Sequence, residues 1–463
     1  MGGHRPLPVM GLACALVLAF VVAPGAAAPR ATATGAPGMP GALRTTTLPN
    51  GLRVVLAPDS EAAALDVAVW YEAGLRAEPP GRAGIAHLFE RLMFDGSTNV
   101  PRRGHQTRIE SLGGSSESIT TADAICFFET VPASGLDTAL ALEADRMTGL
   151  TLDAGRIDAE RSAIGAERSR ASQGSPVATG ERLLAETAWS GHPYHAPITG
   201  SETDLAKLTL RDAQDWYHAR YGPGRAVLTL VGRFDPGDAM KRIRSRFGSL
   251  KGGDAAAPAT KLATPAAERR VRVAGTLPFR LLAMGWNVPG RDDPDAAALT
   301  LLAAILARGE TSRLHADLVG RQRSCFFLDG DVDARRDGSL LYVVAGVQPG
   351  ADSAAVERAI LAAVEHAANG PPGDAELEGA RKQLVNAICF GWQSARGRAQ
   401  ALGSAVMTTG DATAATRALE RVRACTAADV QHAAARWLTA TRRIVVWQAA
   451  RPGETAAASG GAR

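Results

Sequence analysis

The sequence predicts an α+β fold built twice, and three observations carry that reading. First, 463 residues exceed what one ordinary core organises, so two domains with terminal extensions are expected. Second, two blocks repeat one another at a constant offset of 217 residues. "TLRDAQDWYHARY" (209–221), followed by "AVLTLVGRFDP", answers to "TAADVQHAAARWL" (426–438), followed by "RIVVWQAARP". Thr209, Asp212 and Gln214 match Thr426, Asp429 and Gln431. Third, each block opens with strand-like alternation and continues into long amphipathic helices. The strand patterns are "GLRVVLAP" and "LDVAVWYEAG" in the first, "RRVRVAG" and "FRLLAMGWNVPG" in the second. A mostly antiparallel sheet with helices on one side, made twice, is the economical architecture.

Taken in order, residues 1–28 read as a signal peptide. His4 and Arg5 form a short basic start, residues 9–22 are an uncharged apolar run, and "APGAAAPR" supplies small residues for cleavage. The run is short for a membrane span, and no later segment is long and apolar enough for one. Export to a periplasmic or extracellular space is expected. Residues 29–42, "PRATATGAPGMPGA", form a disordered lead. The first domain is assigned to 43–249, an Ala/Pro/Gly-rich linker to 250–268, the second domain to 269–450, and a loose tail to 451–463. In each domain a Thr caps a helix that leads into a β-branched strand. Net charge is +4 with both signs interspersed, which argues against a nucleic-acid partner. The four cysteines past the leader, Cys126, Cys325, Cys389 and Cys425, are scattered without a CxxC pair and read as buried thiols.

"GIAHLFERLMFDGS" (84–97) places Ile85, Leu88, Phe89 and Leu92 on one face of a helix and His87, Glu90 and Arg91 on another. In "TLDAGRIDAERSAIGAERSR" (151–170), Asp153 suits an N-cap, and Glu160 and Glu167 lie two turns apart on one face. If the two helices pack together, His87, Glu90, Glu160 and Glu167 converge, the side chains a metal-assisted hydrolase uses. A His-x-x-Glu pair by itself is more often ordinary helix surface.

With these residues in view, the chain resembles the insulinase/pitrilysin-type zinc peptidases, whose inverted motif is H-x-x-E-H. It is most similar to the smaller bacterial members related to mitochondrial processing peptidase. The resemblance spans most of 45–450 and rests on several blocks in order. These are "GIAHLFERLMFDGS", "IESLGGSSESITTADAICFFETVP", "GHPYHAPITGS", "YGPGRAVLTLVGRFDP" and "GETSRLHADLV". It implies two homologous domains enclosing a chamber, with zinc held by His87 and Glu167. It also implies Glu90 as catalytic base, Glu160 as its accompanying acid, and substrate added as a strand beside Glu117 and Ser118.

Three positions depart from the family pattern. Arg91 stands where the second metal-binding His belongs. A guanidinium has no lone pair to donate. It also repels a cation: two unit charges ~4 Å apart at an effective dielectric of ~20 interact by roughly 4 kcal/mol, and a divalent ion doubles that. Arg91 is therefore expected to pair with Glu167, Glu160 or Glu90 in place of the metal, leaving zinc weak or absent. Glu117 and Ser118 replace the usual Asn-Ala, a change that suits either basic substrates or an unused edge. Val319 and Phe326 occupy the places of an Arg and a Tyr that grip substrate in many relatives. His105 is expected in a solvated basic loop, and His192 and His195 in a separate loop.

Two functions follow as expectations. One is a non-catalytic subunit or peptide-binding half-chamber, partnering an active homologue as homo- or heterodimer and receiving peptide or unfolded polypeptide. The alternative is a working zinc metalloendopeptidase with a modified metal site.

Overall fold

The computed structural model describes residue 39 and residues 43–171, 175–253, 262–275 and 277–451. The expected signal peptide, nearly all of the lead, residues 254–261 of the linker and residues 452–463 of the tail lie outside the described residues.

The first half contains β1 (Arg44–Thr47), β2 (Arg53–Pro58), β3 (Leu65–Tyr71), α1 (Ile85–Leu92), α2 (Gly104–Ser111), β4 (Ser115–Thr120) and β5 (Ile125–Val131). It continues with α3 (Leu136–Gly149), α4 (Ala154–Ala171), α5 (Pro176–Ala188), α6 (Glu202–Lys207), α7 (Leu210–Arg220), β6 (Ala226–Gly232) and α8 (Pro236–Phe247). The second half has β7 (Arg269–Val273), β8 (Arg280–Val288), α9 (Ala296–Leu306), a π-helical turn (His315–Arg321), β9 (Cys325–Asp333) and β10 (Ser339–Val347). After these come α10 (Ser353–Asn369), α11 (Asp374–Gly391), α12 (Ala395–Thr409), α13 (Ala414–Ala424), α14 (Ala427–Trp437) and β11 (Arg443–Gln448).

The duplication is visible in strand order. The first sheet runs β1-β2-β6-β3-β5-β4 and the second β7-β11-β8-β10-β9. With β1 set aside, the two orders are the same. Each sheet has one parallel pair, β2 with β6 and β7 with β11, among otherwise antiparallel neighbours. The repeated Thr-x-x-Asp fragments also fold alike. Thr209 caps α7 and Thr426 caps α14, and in both the side chain accepts from the Asp backbone while the Asp carboxylate accepts in return.

Strand alternation gives each sheet two faces. In the first sheet Val54, Leu56, Val67, Val69, Ile125 and Phe127 meet the main helical layer, which includes α1, α3, α7 and α8. The opposite face, with Val55, Ala68, Trp70 and Phe128, is covered by Ala399, Leu402 and Val406 of α12 from the second half. The second sheet is treated reciprocally, since Leu183 and Leu184 of α5 pack on Leu281, Ala283 and Val344. Each half thus has its helices on one side, as expected, and lends one more helix to the other's sheet. The small residue at Gly403 allows this docking, because a Cβ there would fall 2.1 Å from Trp70 Nε1. Among the described residues all four cysteines are free; Cys126, Cys325 and Cys425 are buried and Cys389 is half-buried.

Candidate functional site

Helix α1 is short, and its start is fixed by backbone chemistry. Gly84, its N-cap, has φ +97°, and a Cβ there would lie 2.8 Å from Gly200 Cα, so "AGIAH" and "ITGS" interlock only through glycine. The orphan N–H groups of Gly84 and Ala86 both donate to Glu78 Oε1 at 3.0 Å. Glu78 is almost fully buried, and that burial, against the two N–H groups, pushes its carboxyl up to about 8. The sequence reading missed Glu78. Its one signal was an acid a few residues before a helix-starting glycine.

Ile85, Leu88, Phe89 and Leu92 are buried in the core as the pattern requires, which turns His87, Glu90 and Arg91 towards α4 and β4. On α4, Ile157 and Ile164 face the same core and bring Glu160 and Glu167 alongside. The structure therefore gathers all five positions. His87 lies between two carboxylates, with Nδ1 2.9 Å from Glu90 Oε2 and Nε2 3.2 Å from Glu167 Oε2. Arg91 Nε donates to Glu160 Oε2 at 2.5 Å, and its Nη1 is 3.8 Å from Glu167 Oε2. Ser118 and Thr120 of β4 donate their hydroxyls to Glu90 Oε1 at 3.0 Å and Oε2 at 2.6 Å.

The electrostatics follow from these contacts. Burial opposes charge on His87, but the hydrogen bonds to Glu167 and Glu90 outweigh it and hold the imidazole up at about 9. Glu90 is pushed up by burial and drawn below its ordinary value by His87, Thr120 and Ser118. The His87 hydrogen bond, against burial, holds Glu167 low as well. Between these two carboxylates His87 is held towards its protonated form.

A zinc ion does not fit this donor set. A catalytic zinc site draws about three protein ligands and leaves one place for water. Here the position after Glu90 holds a guanidinium, which has no lone pair to donate and lies against Glu160 and Glu167. Two cations, His87 and Arg91, are interleaved with three carboxylates, Glu90, Glu160 and Glu167. The arrangement is a lattice of alternating charges in which the chain's own cations face the three carboxylates.

The remaining candidates fall as follows. Ser118 lies on β4, an edge strand of the first sheet among the described residues, and supports Glu90. Glu117 lies on the same strand facing α12, where it is paired with Arg396, whose guanidinium lies 4.5 Å from the centroid of the Phe128 ring. Phe326 is on the edge strand β9, 40% exposed, with its ring edge-on to Phe279 and Phe327, while Val319 packs against the second core. His192 is buried 3.5 Å from Asp337, and His195 Nδ1 bonds the His192 carbonyl at 2.7 Å. His105 corrects an expectation, because it is buried on α2 rather than solvated in a loop. Its Nε2 donates to Glu129 Oε1 at 2.7 Å. Burial and the adjacent Arg146 push it down to about 3, so it stays neutral. Arg146 lies between Glu129 and Glu143 and between the Phe94 and Phe127 rings, which fills that cluster with a cation of its own.

Known proteins are similar to this chain in sequence and in fold. The model of the insulinase family (peptidase family M16) matches residues 53–202, and that of the peptidase M16 inactive domain matches residues 207–384. The zinc protease PqqE of Helicobacter pylori is 28% identical over 339 residues, covering 72% of this chain and 76% of that protein. An uncharacterised zinc protease of Streptomyces coelicolor is 25% identical over 399 residues, covering 84% of this chain and 86% of its own length. A probable mitochondrial-processing peptidase subunit beta of Arabidopsis thaliana is 27% identical across 57% of this chain and 50% of its own. Among solved structures, a protease from Helicobacter pylori superposes with TM-score 0.83 at 25% identity, covering 89% of this chain and all of that one. A peptidase M16 inactive domain from Pseudomonas fluorescens shares the fold at TM-score 0.80 and 18% identity, over 88% of this chain and 98% of its own. Two adjoining family matches and one shared fold lead to the same place: this chain belongs to the insulinase family of peptidases, M16.

Proposed function

We propose that this chain is a non-catalytic member of the insulinase family, an exported peptide-binding half that works beside a homologous, catalytically complete subunit. The observation that carries the reading is the Arg91–Glu160 bond at 2.5 Å, with Arg91 also 3.8 Å from Glu167. The guanidinium supplies within the chain positive charge that a metal would bring, without its Lewis acidity. The outer edge of β4, unpaired among the described residues, offers backbone groups to an extended polypeptide. Relatives named as β subunits of processing peptidases support an assembly with a second chain. The apolar run at 9–22 supports export to a periplasmic or extracellular space. No described helix is long and apolar enough to cross a membrane.

A second reading, an active zinc endopeptidase, has one observation in its favour: His87, Glu90, Glu160 and Glu167 are all retained and adjacent. One experiment separates the two. Arg91→His is expected to acquire zinc and peptide cleavage that Glu90→Gln then removes, while the wild type does neither. Peptide cleavage by the wild type that Glu90→Gln abolishes would establish the second reading instead.

A further inference from the structure

A cleft of about 490 Å³ lies between β1 and the first turns of α8. Arg44 and Thr46 of β1 stand opposite Leu56 and Val54 of β2, so they lie on the face that meets the helical layer. Leu56, Pro236 and Met240 give the cleft an apolar lining. Arg44, Lys241 and Arg244 give it three cations, and among the described residues no carboxylate lines it. All three cations are exposed, and none is ion-paired among the described residues. The acids of the surrounding helices are engaged elsewhere. The Asp235 carboxylate caps α8, accepting from the Asp238 backbone at 2.7 Å. Asp238 is paired with Arg242 at 2.7 Å. Asp137 of α3 is paired with Arg246 at 2.7 Å and lies 3.7 Å from Arg242. The positive charge of the cleft is therefore uncompensated within its own walls.

Beside this charge lies an open backbone edge. Among the described residues β1 pairs with β2 and with no other strand. Backbone N–H and C=O groups of alternate residues therefore point away from the sheet, ready for another strand. The chain's own lead is a poor occupant. Met39 and Leu43 pack against the opposite face of the sheet, and "PRATATGAPGMPGA" contains neither Asp nor Glu. We propose that the β1 edge and its cationic cleft dock an acidic segment of a partner polypeptide in extended conformation. The segment's backbone continues the sheet beyond β1, and its carboxylates, carried at every second position, turn towards Arg44, Lys241 and Arg244. A cleft between a strand edge and a helix suits a single extended chain better than a lipid surface, which meets its cations on an open face. Four strands separate β1 from β4. At ~4.8 Å per strand the two edges lie roughly 24 Å apart, so this surface is distinct from the candidate site and does not rest on the reading of that site.

The test uses the full chain and two short fluorescent peptides, one alternating Glu with Thr and the other alternating Gln with Thr, read by anisotropy at low salt. The Glu peptide is expected to bind at least about tenfold more tightly than the Gln peptide, with the advantage shrinking as salt is raised. The double variant Lys241→Gln with Arg244→Gln changes two exposed side chains and should remove that advantage without changing the melting temperature. Proline in the middle of the Glu peptide should weaken binding, because it removes a strand donor. Equal binding of the Glu and Gln peptides, or binding of neither, would overturn the proposal. Undiminished binding of the proline peptide would overturn the added strand. Displacement of the Glu peptide by millimolar inorganic phosphate at constant ionic strength would overturn the proposal in favour of a free-anion site. Capture by vesicles of anionic lipid, lost in the double variant, would assign the cleft to a membrane instead. A concentration-dependent dimer dissolved by the double variant would assign it to a second copy of the chain.

Discussion

Arg91 Nε stands 2.5 Å from Glu160 Oε2, and that bond ties α1 to α4 where the H-x-x-E-H pattern has its second histidine. The pair is partly exposed, with Arg91 at 30% and Glu160 at 16%. Solvent screening keeps its worth modest. A double-mutant cycle with Arg91→Met and Glu160→Gln, followed by urea denaturation, is expected to give a coupling energy of about 1 kcal/mol. A coupling of zero would mean that the guanidinium merely rests beside the carboxylate.

His87 gives a pH signature. Its folded value of about 9 lies above the ordinary histidine value near 6.5, so protonation and folding favour one another. The stabilisation is fully present below about pH 6.5 and is lost as pH rises through about 9. At ~1.4 kcal/mol per unit the shift is worth about 3 kcal/mol. His87→Gln should therefore destabilise most near pH 6 and least near pH 10. Glu90 and Glu167 act in the opposite sense. Held low, they stabilise the fold above their ordinary values near 4.5, and that stability disappears on acidification. An NMR titration of His87 Cε1–H with a midpoint near 6.5 would remove the argument that its neighbours hold it towards the protonated form.

Much of this was legible beforehand, because it is local. The 217-residue echo predicts alike N-caps at Thr209 and Thr426, and both form, each completed by its Asp into a capping box. Seven-residue spacing on α4 places Glu160 and Glu167 together, since two helical turns are fixed by geometry. What escaped the sequence is decided by distant packing. Nothing in the segment around Gly403 announces that α12 seats against Trp70 of the other half. His105 lies in a basic stretch, and only Glu129 and Arg146, arriving from β5 and α3, turn it into a buried neutral group. The Arg396 partner of Glu117 is likewise invisible along the chain.

Glu78 tests how α1 is held. Its Oε1 accepts from the Gly84 and Ala86 backbones, so Glu78→Ala leaves two buried N–H groups unpaired and should cost roughly 2–4 kcal/mol. Glu78→Gln keeps an acceptor and should cost less. The sign of its pH dependence is also fixed. With a folded value near 8 against an ordinary 4.5, the wild type loses stability as pH rises between these values, because the fold resists the charge. Glu78→Gln lacks that slope. Parallel pH dependence in wild type and variant would show that Glu78 is ionised in the fold.

Arg146 is the cation of the buried cluster formed with Glu129 and Glu143. Burial raises both carboxylates, Glu143 to about 7, with Arg146 opposing. Removing the guanidinium by Arg146→Met leaves them without a counter-charge and should cost about 3–5 kcal/mol. His105→Gln, which replaces one neutral donor by another, should cost about 1 kcal/mol. Similar losses in the two variants would mean that the cluster does not depend on charge.

The central claim is that the guanidinium of Arg91 stands where a metal ligand belongs and supplies positive charge that a metal would bring. The most direct measurement is the zinc content of the purified wild-type chain after equilibration with micromolar zinc and removal of free ion. Far less than one zinc per chain is expected, alongside about one in Arg91→His. One zinc per wild-type chain, lost on replacing His87 or Glu167, would contradict the account.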